Sequence, residues 1–162
     1  MCKNRKNAKK STANHAARKL FVVDIENYCG KPILSENDAL AAKESLVNHF
    51  HPSENDLVVV GTSHTSNYLN VGMVWKGIRQ VLGKGHDGAD IALLDAMQDY
   101  RLDTFSEVFI LSGDGIFAEA VEEIALSGII VAVVSIERCL SQRLAEAAPQ
   151  IQLVEQPTLE VA

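Results

Sequence analysis

Asp24, Asp114 and the pair Asp87 and Asp90 are the side chains of this sequence whose types and spacing could do chemistry. Asp24 ends the apolar run Leu20-Phe21-Val22-Val23, with Glu26 and Asn27 just beyond it. Asp114 follows a second run, Glu107 to Leu111, through Ser112 and Gly113. A third run, Leu57 to Gly61, ends in Thr62-Ser63-His64, and Asp87 and Asp90 open a helical stripe after the loop Gly83 to Gly88. In an open parallel sheet, ligands bind outside the carboxyl ends of the strands, near the point where strand order reverses. Four segments therefore bring acids or hydroxyls to one edge. Carboxylates crowded together repel one another, which is costly unless a cation or a shared proton compensates. Hard oxygen donors suit Mg²⁺ or Mn²⁺, which keep some waters and bind phosphate oxygens. Ions so placed activate water and stabilise the leaving oxygen of a phosphodiester, so a nucleic acid or another phosphoryl compound is the expected substrate.

Each residue also has a plainer role open to it. Asp24 could bond loop amides, Asp114 could cap the next helix, and Asp87 with Asp90 could cap their own. Asn27 could stabilise a turn. Asp95 lies about 140° round the helix from Asp90 and is expected on the surface. His64 and His86 are loop histidines with no partner visible in the sequence. Gly83, Gly85 and Gly88 match G-x-G-x-x-G. That fingerprint belongs after the first strand of a βαβ unit, with an acid about 20 residues on at the end of the next strand. Here it follows a weak strand deep in the chain, and Asp103 precedes the next strand, so a dinucleotide site is not expected.

The elements that must position these residues follow from periodicity. Short apolar runs at Leu20–Asp24, Leu57–Gly61, Glu107–Leu111 and Ile129–Val134 read as buried parallel strands. Arg79–Leu82 is expected as a short further strand and Ile151–Val154 as an edge strand. Between them lie helical stripes: Ala39, Ala42, Leu46 and Phe50, opened by a capping box of Ser35 and Asp38; Val71, Val74, Trp75 and Ile78; Ala89, Leu93, Ala96, Met97 and Tyr100; Phe117, Ala120, Val121 and Ile124; and Leu140, Leu144 and Ala147. Gly128 is expected as a C-cap, and Pro52 and Pro149 as stops. Strands alternating with helices imply right-handed βαβ units and a mostly parallel sheet of five or six strands, covered on both faces.

The totals are those of one ordinary globular domain: 162 residues, 47% of them hydrophobic, with a formal net charge of −6. Seven of the fifteen basic residues (Lys3, Arg5, Lys6, Lys9, Lys10, Arg18 and Lys19) precede the first acid, Asp24, so the rest of the chain is strongly acidic. A basic arm on an acidic body suits phosphate attraction assigned to the arm, and equally a solubilising tail. The expected organisation is an arm over residues 1–18, a domain over 19–155 and a tail over 156–162. No apolar run approaches the roughly 20 residues of a membrane helix. The start has no apolar stretch with a cleavage site, and is not expected to be a secretory signal. Cys2, Cys29 and Cys139 fit neither a disulfide framework nor a zinc pattern, so a reducing, cytoplasmic setting is expected.

Three of these motifs, taken in order, bear a family likeness. Asp24-Ile25-Glu26-Asn27 resembles the D-x-x-N that opens NYN domains, the LabA-like branch of the PIN-like nuclease superfamily. Gly88-Ala89-Asp90 resembles that family's G-x-D segment, and Ser112-Gly113-Asp114-Gly115-Ile116-Phe117 its S-G-D-x-D-F, over about residues 19–136. The resemblance implies a three-layer α/β/α fold of PIN-like, Rossmann-like topology and a metal-dependent ribonuclease site. Asp24, Asp90 and Asp114 would hold the divalent metal, Asn27 would orient metal or substrate, and Ser112 would lie beside the phosphate. Ile116 departs from the pattern, because it stands where the family usually has a second aspartate. Metal binding should weaken unless Asp87 supplies the missing charge. The expectation is a ribonuclease using Mg²⁺ or Mn²⁺, acting on RNA with Lys84 and the arm neutralising phosphates. A homodimer is compatible with a lone domain of this type. The alternatives are a nucleic-acid-binding or regulatory module with a degenerate site, or a small-molecule enzyme using the glycine loop.

Overall fold

The computed structural model describes residues 17–159. The expected basic arm lies outside the described residues except for Ala17 and Arg18, as do residues 160–162. Strands β1 (Lys19–Asp24), β2 (Leu57–Thr62), β3 (Arg79–Leu82), β4 (Glu107–Leu111), β5 (Ile130–Ser135) and β6 (Ile151–Leu153) form one sheet. Its order is β3-β2-β1-β4-β5-β6, and every neighbouring pair is parallel. Helices α1 (Ile25–Cys29), α2 (Glu36–Phe50), α3 (Thr65–Val74), α4 (Gly88–Gln98), α5 (Ala118–Leu126) and α6 (Gln142–Ala147) complete the chain.

Side chains alternate across a strand, and here each parity has its own core. Phe21, Val23, Val60, Phe109 and Leu111 pack with Ile25, Leu46 and Val71 of α1 to α3. Leu20, Val22, Val59, Val108 and Ile110 pack with Leu93, Val121 and Leu144 of α4 to α6. The result is a three-layer α/β/α, Rossmann-like fold. The chain steps outward from β1 to β3, then returns to place β4 on the other side of β1. That reversal puts the switch point between β1 and β4, the position where such sheets bind ligands.

Several helix ends fall short of the apolar stripes that announce them. Helix α3 stops at Val74; Trp75 and Ile78 lie beyond it, with Trp75 Nε1 donating to Ala39 O at 2.6 Å. Tyr100 lies past α4 and meets Phe105 edge-on. Leu140 precedes α6, whose true N-cap is Ser141, accepting from Leu144 N at 3.2 Å. In each case the residues next to the helix continue to bury the same face. The Ser35–Asp38 capping box forms as expected, and Gly128 takes a left-handed φ of +83° just past α5. Among the described residues, no helix is long and apolar enough to cross a membrane.

Candidate metal and phosphoryl site

Register and parity together bring the acids to one place. Val23 pairs with Leu111, so the next residues in line, Asp24 and Ser112, sit side by side at the switch point. Both continue the parity of Leu20, Val22, Val108 and Ile110, which face α4 and α5. Ser112 Oγ donates to Asp24 Oδ2 at 3.1 Å and accepts from Asp114 N at 3.2 Å, so one hydroxyl couples the two loops. Asn27, in the short α1, accepts from Gly113 N at 2.8 Å and thereby pins the β4 loop to the β1 loop. Its own backbone N–H donates to Asp24 Oδ1 at 3.3 Å. Asp114 takes the capping role as well, accepting from Ile116 N at 2.9 Å.

Asp90 arrives from the other wall, in the first turn of α4. The helix can lie this close to the sheet because residue 61 is glycine. A Cβ there would stand 2.5 Å from Leu93 Cγ, well inside contact distance. Asp24 and Asp90 are both buried, at 5% and 6% exposure. Burial is the main force raising the Asp24 carboxyl from its ordinary value to about 6, against hydrogen bonds that lower it. Burial likewise raises Asp90, and the neighbouring charges of Asp24, Asp114 and Asp87 carry it to about 8. Two buried carboxyls this close cannot both ionise freely, so near neutral pH they hold a proton between them unless a cation replaces it. Asp90 Oδ1 is buried and meets no hydrogen-bond donor, a costly state for a polar atom.

These acids line one open cleft of about 610 Å³ with Asn27, Glu26, Ser63, His64, Gly85 and His86. Four of the residues singled out by sequence (Asp24, Asn27, Asp90 and Asp114) therefore share one cleft. The others are placed differently. Ser112 is fully buried behind Asp24 and orients that carboxylate, with no surface for a phosphate to touch. Lys84 is exposed in the β3–α4 loop, next to the cleft-lining Gly85. Asp87 precedes α4 without capping it and instead meets His86 Nδ1 at 2.6 Å. Ile116 packs into the core beneath α4 to α6 and lines a separate groove with Leu94 and Tyr100. Ile116 itself does not line the cleft.

The glycine loop has a structural explanation. A Cβ on Gly83 would lie 1.7 Å from Gly88 O, so the two ends of the loop touch backbone to backbone. The loop follows β3, an edge strand, whereas a dinucleotide fingerprint follows the central first strand.

Sequence reasoning missed Glu26. Its Oε1 accepts from Ser63 N at 2.9 Å, Asn67 Nδ2 at 2.6 Å and His64 Nδ1 at 3.2 Å, and its Oε2 accepts from Ser63 Oγ. Burial pushes this carboxyl up, but the donors from Ser63, Asn67 and His64 outweigh it and hold it below its usual range. Asn67, fully buried, also donates to Pro32 O at 2.8 Å and accepts from Leu34 N at 2.9 Å. The pair joins α1 and α3 to the loops that follow α1 and β2. The only sequence signal was an acid next to a strand-end aspartate.

The donor set suits a hard divalent cation: carboxylates from three elements, one with an orphaned buried oxygen. Among the described residues, no three carboxylate, imidazole or thiol groups stand close enough together to enclose a metal as the side chains lie.

Fold and site together define a Rossmann-like α/β/α protein with an acidic cleft at its switch point. No family model and no curated protein matches the chain. Among solved structures it is similar to a protein of unknown function from Vibrio parahaemolyticus, at 19% identity and a TM-score of 0.60. That likeness covers 88% of this chain and 96% of the other, and it extends to the fold alone.

Proposed function

We propose that the protein is a divalent-metal-dependent ribonuclease of the NYN type, with its site at the switch-point cleft. The observation that carries this reading is the buried pair Asp24 and Asp90, with Asp114 beside them and one carboxylate oxygen left without a donor. Asp24, Asp90 and Asp114 would hold Mg²⁺ or Mn²⁺. When bound, such an ion supplies a more acidic attacking water and stabilises the charge that develops on the leaving oxygen. Ser112 fixes the rotamer of Asp24, and Asn27 holds the Gly113 turn that presents Asp114. Lys84 at the rim, with the basic residues before β1, offers positive charge for flanking phosphates.

The test is cleavage of labelled single-stranded RNA in Mn²⁺ by the parent, Asp24→Asn and Asp114→Asn. Cutting by the parent, with losses of about 10²-fold or more in both variants and no loss of thermal stability, is the expected result. Equal cutting by all three, with contaminating nuclease excluded, overturns the reading.

A second reading is a nucleic-acid-binding or regulatory module of the same fold that cuts poorly. The looseness of the acidic cluster favours it, since no three ligating groups converge among the described residues. Steeply salt-dependent RNA binding without cleavage in Mg²⁺ or Mn²⁺ would distinguish it.

A further inference from the structure

The cleft that the aspartates line also carries an imidazole whose orientation is fixed. His64 occupies the N-cap position of α3 but makes no capping bond. Its Nδ1 is instead 3.2 Å from Glu26 Oε1 and 3.1 Å from Ser63 Oγ. Glu26 accepts from Ser63 N and Asn67 Nδ2 at Oε1, and the hydrogen of Ser63 Oγ is already committed to Glu26 Oε2. Nδ1 therefore carries a proton held toward these acceptors, so in the charged ring the proton left free to transfer is the one on Nε2. His64 is 44% exposed and lines the cleft. His86 also lines it, but is 97% exposed and is tied only to the adjacent Asp87.

Resting on the ribonuclease reading above, we propose that His64, held by Glu26 and Ser63, is the general acid that protonates the leaving oxygen. In that step, water oxygen bonds to phosphorus and the bond from phosphorus to the leaving ester oxygen breaks. The electron pair of that bond stays on the leaving oxygen, which takes the Nε2 proton of the imidazolium and departs as an alcohol. The proton lost by the attacking water goes to solvent, and the neutral imidazole regains one from solvent. Glu26 acts as the positioning residue, because it sets which nitrogen faces the substrate, as the carboxylate does in a serine hydrolase triad.

The experiment compares the parent with His64→Gln in Mn²⁺ on two substrates. One is an ordinary oligoribonucleotide. The other is the same oligonucleotide carrying a p-nitrophenyl phosphate ester, whose leaving group departs without a proton. His64→Gln should lose about 10²- to 10³-fold on the ordinary linkage, and stay within about threefold of the parent on nitrophenolate release. His64→Gly should regain ordinary cleavage on addition of free imidazole, which keeps the test valid if the glutamine variant folds poorly. An equal loss on both substrates, no loss on either, or absence of imidazole rescue overturns the role of His64. A parent inactive on both substrates overturns the ribonuclease reading and this step with it.

Discussion

Asp90 bears the largest electrostatic burden among the cleft acids. Burial and the neighbouring charges push its carboxyl up to about 8, and burial pushes that of Asp24 up to about 6, against about 4 for an exposed aspartate. Folding therefore takes up protons at these two sites. The stability they contribute is full below about pH 4 and is lost as pH rises through roughly 6 and then 8. Glu26 works in the opposite sense. Its folded value is depressed, so its contribution is present above about pH 4 and is lost only in more acid solution. Between pH 5 and 9 in EDTA, the melting temperature should fall as the aspartate pair ionises. Asn at position 90 should flatten that decline and raise the melting temperature at pH 8, where each kcal/mol is worth roughly 2–4 °C. Mn²⁺ should recover stability in the parent and not in Asp90→Asn. Thermal denaturation across this range decides the matter, and a melting temperature that climbs steadily to pH 9 in EDTA would refute it.

At the scale of elements, the site depends on how low α4 rides on the sheet. Leu93 fills the space above Gly61, and three residues earlier on the same helix Asp90 meets Asp24. Gly61→Ala should cost about 1–3 kcal/mol by overpacking, and should weaken Mn²⁺ binding because the helix carrying Asp90 is pushed outward. Leu93→Ala in the same chain should restore part of that affinity, a coupling that a double-mutant cycle measures. Independent, additive effects would mean the two residues do not set the helix height. The strands themselves were legible in the sequence, because continuous apolar runs such as Leu57–Val60 and Ile130–Val134 have few other uses. Helix ends were less legible. Trp75, Tyr100 and Leu140 keep the helical burial spacing while lying outside the helices, so apolar periodicity alone overruns the hydrogen-bonded turns. Asp24 and Asp114 could be found because one ends a buried strand and the other lies three residues beyond one. The Glu26 network could not, because it joins α1, α3 and the loops after α1 and β2, whose meeting depends on strand order. The burial of Ser112 was likewise hidden, since a hydroxyl at a strand end reads the same whether it faces solvent or a neighbouring carboxylate.

Over the whole molecule, charge and topology set a single problem. The chain carries a net charge of −6, and its deepest acidic group sits where a Rossmann-like sheet presents its ligand site. An RNA phosphate entering that cleft meets the carboxyls of Asp24, Asp90, Asp114 and Glu26, and the lysine on its lining, Lys31, is already paired with Asp38 at 2.6 Å. Without a cation the cleft repels the substrate class proposed for it; with one, the same carboxylates become an anchor. Cation binding is therefore the point on which the account stands, ahead of cleavage, whose absence could have other causes. Mn²⁺ titrated into the protein and followed by the paramagnetic resonance signal of the free ion measures it directly. The predicted result is one site per chain, lost or greatly weakened in each of Asp24→Asn, Asp90→Asn and Asp114→Asn. A parent that leaves millimolar Mn²⁺ free (on the order of 4 kcal/mol of binding or less), or one whose site survives all three substitutions, would contradict it.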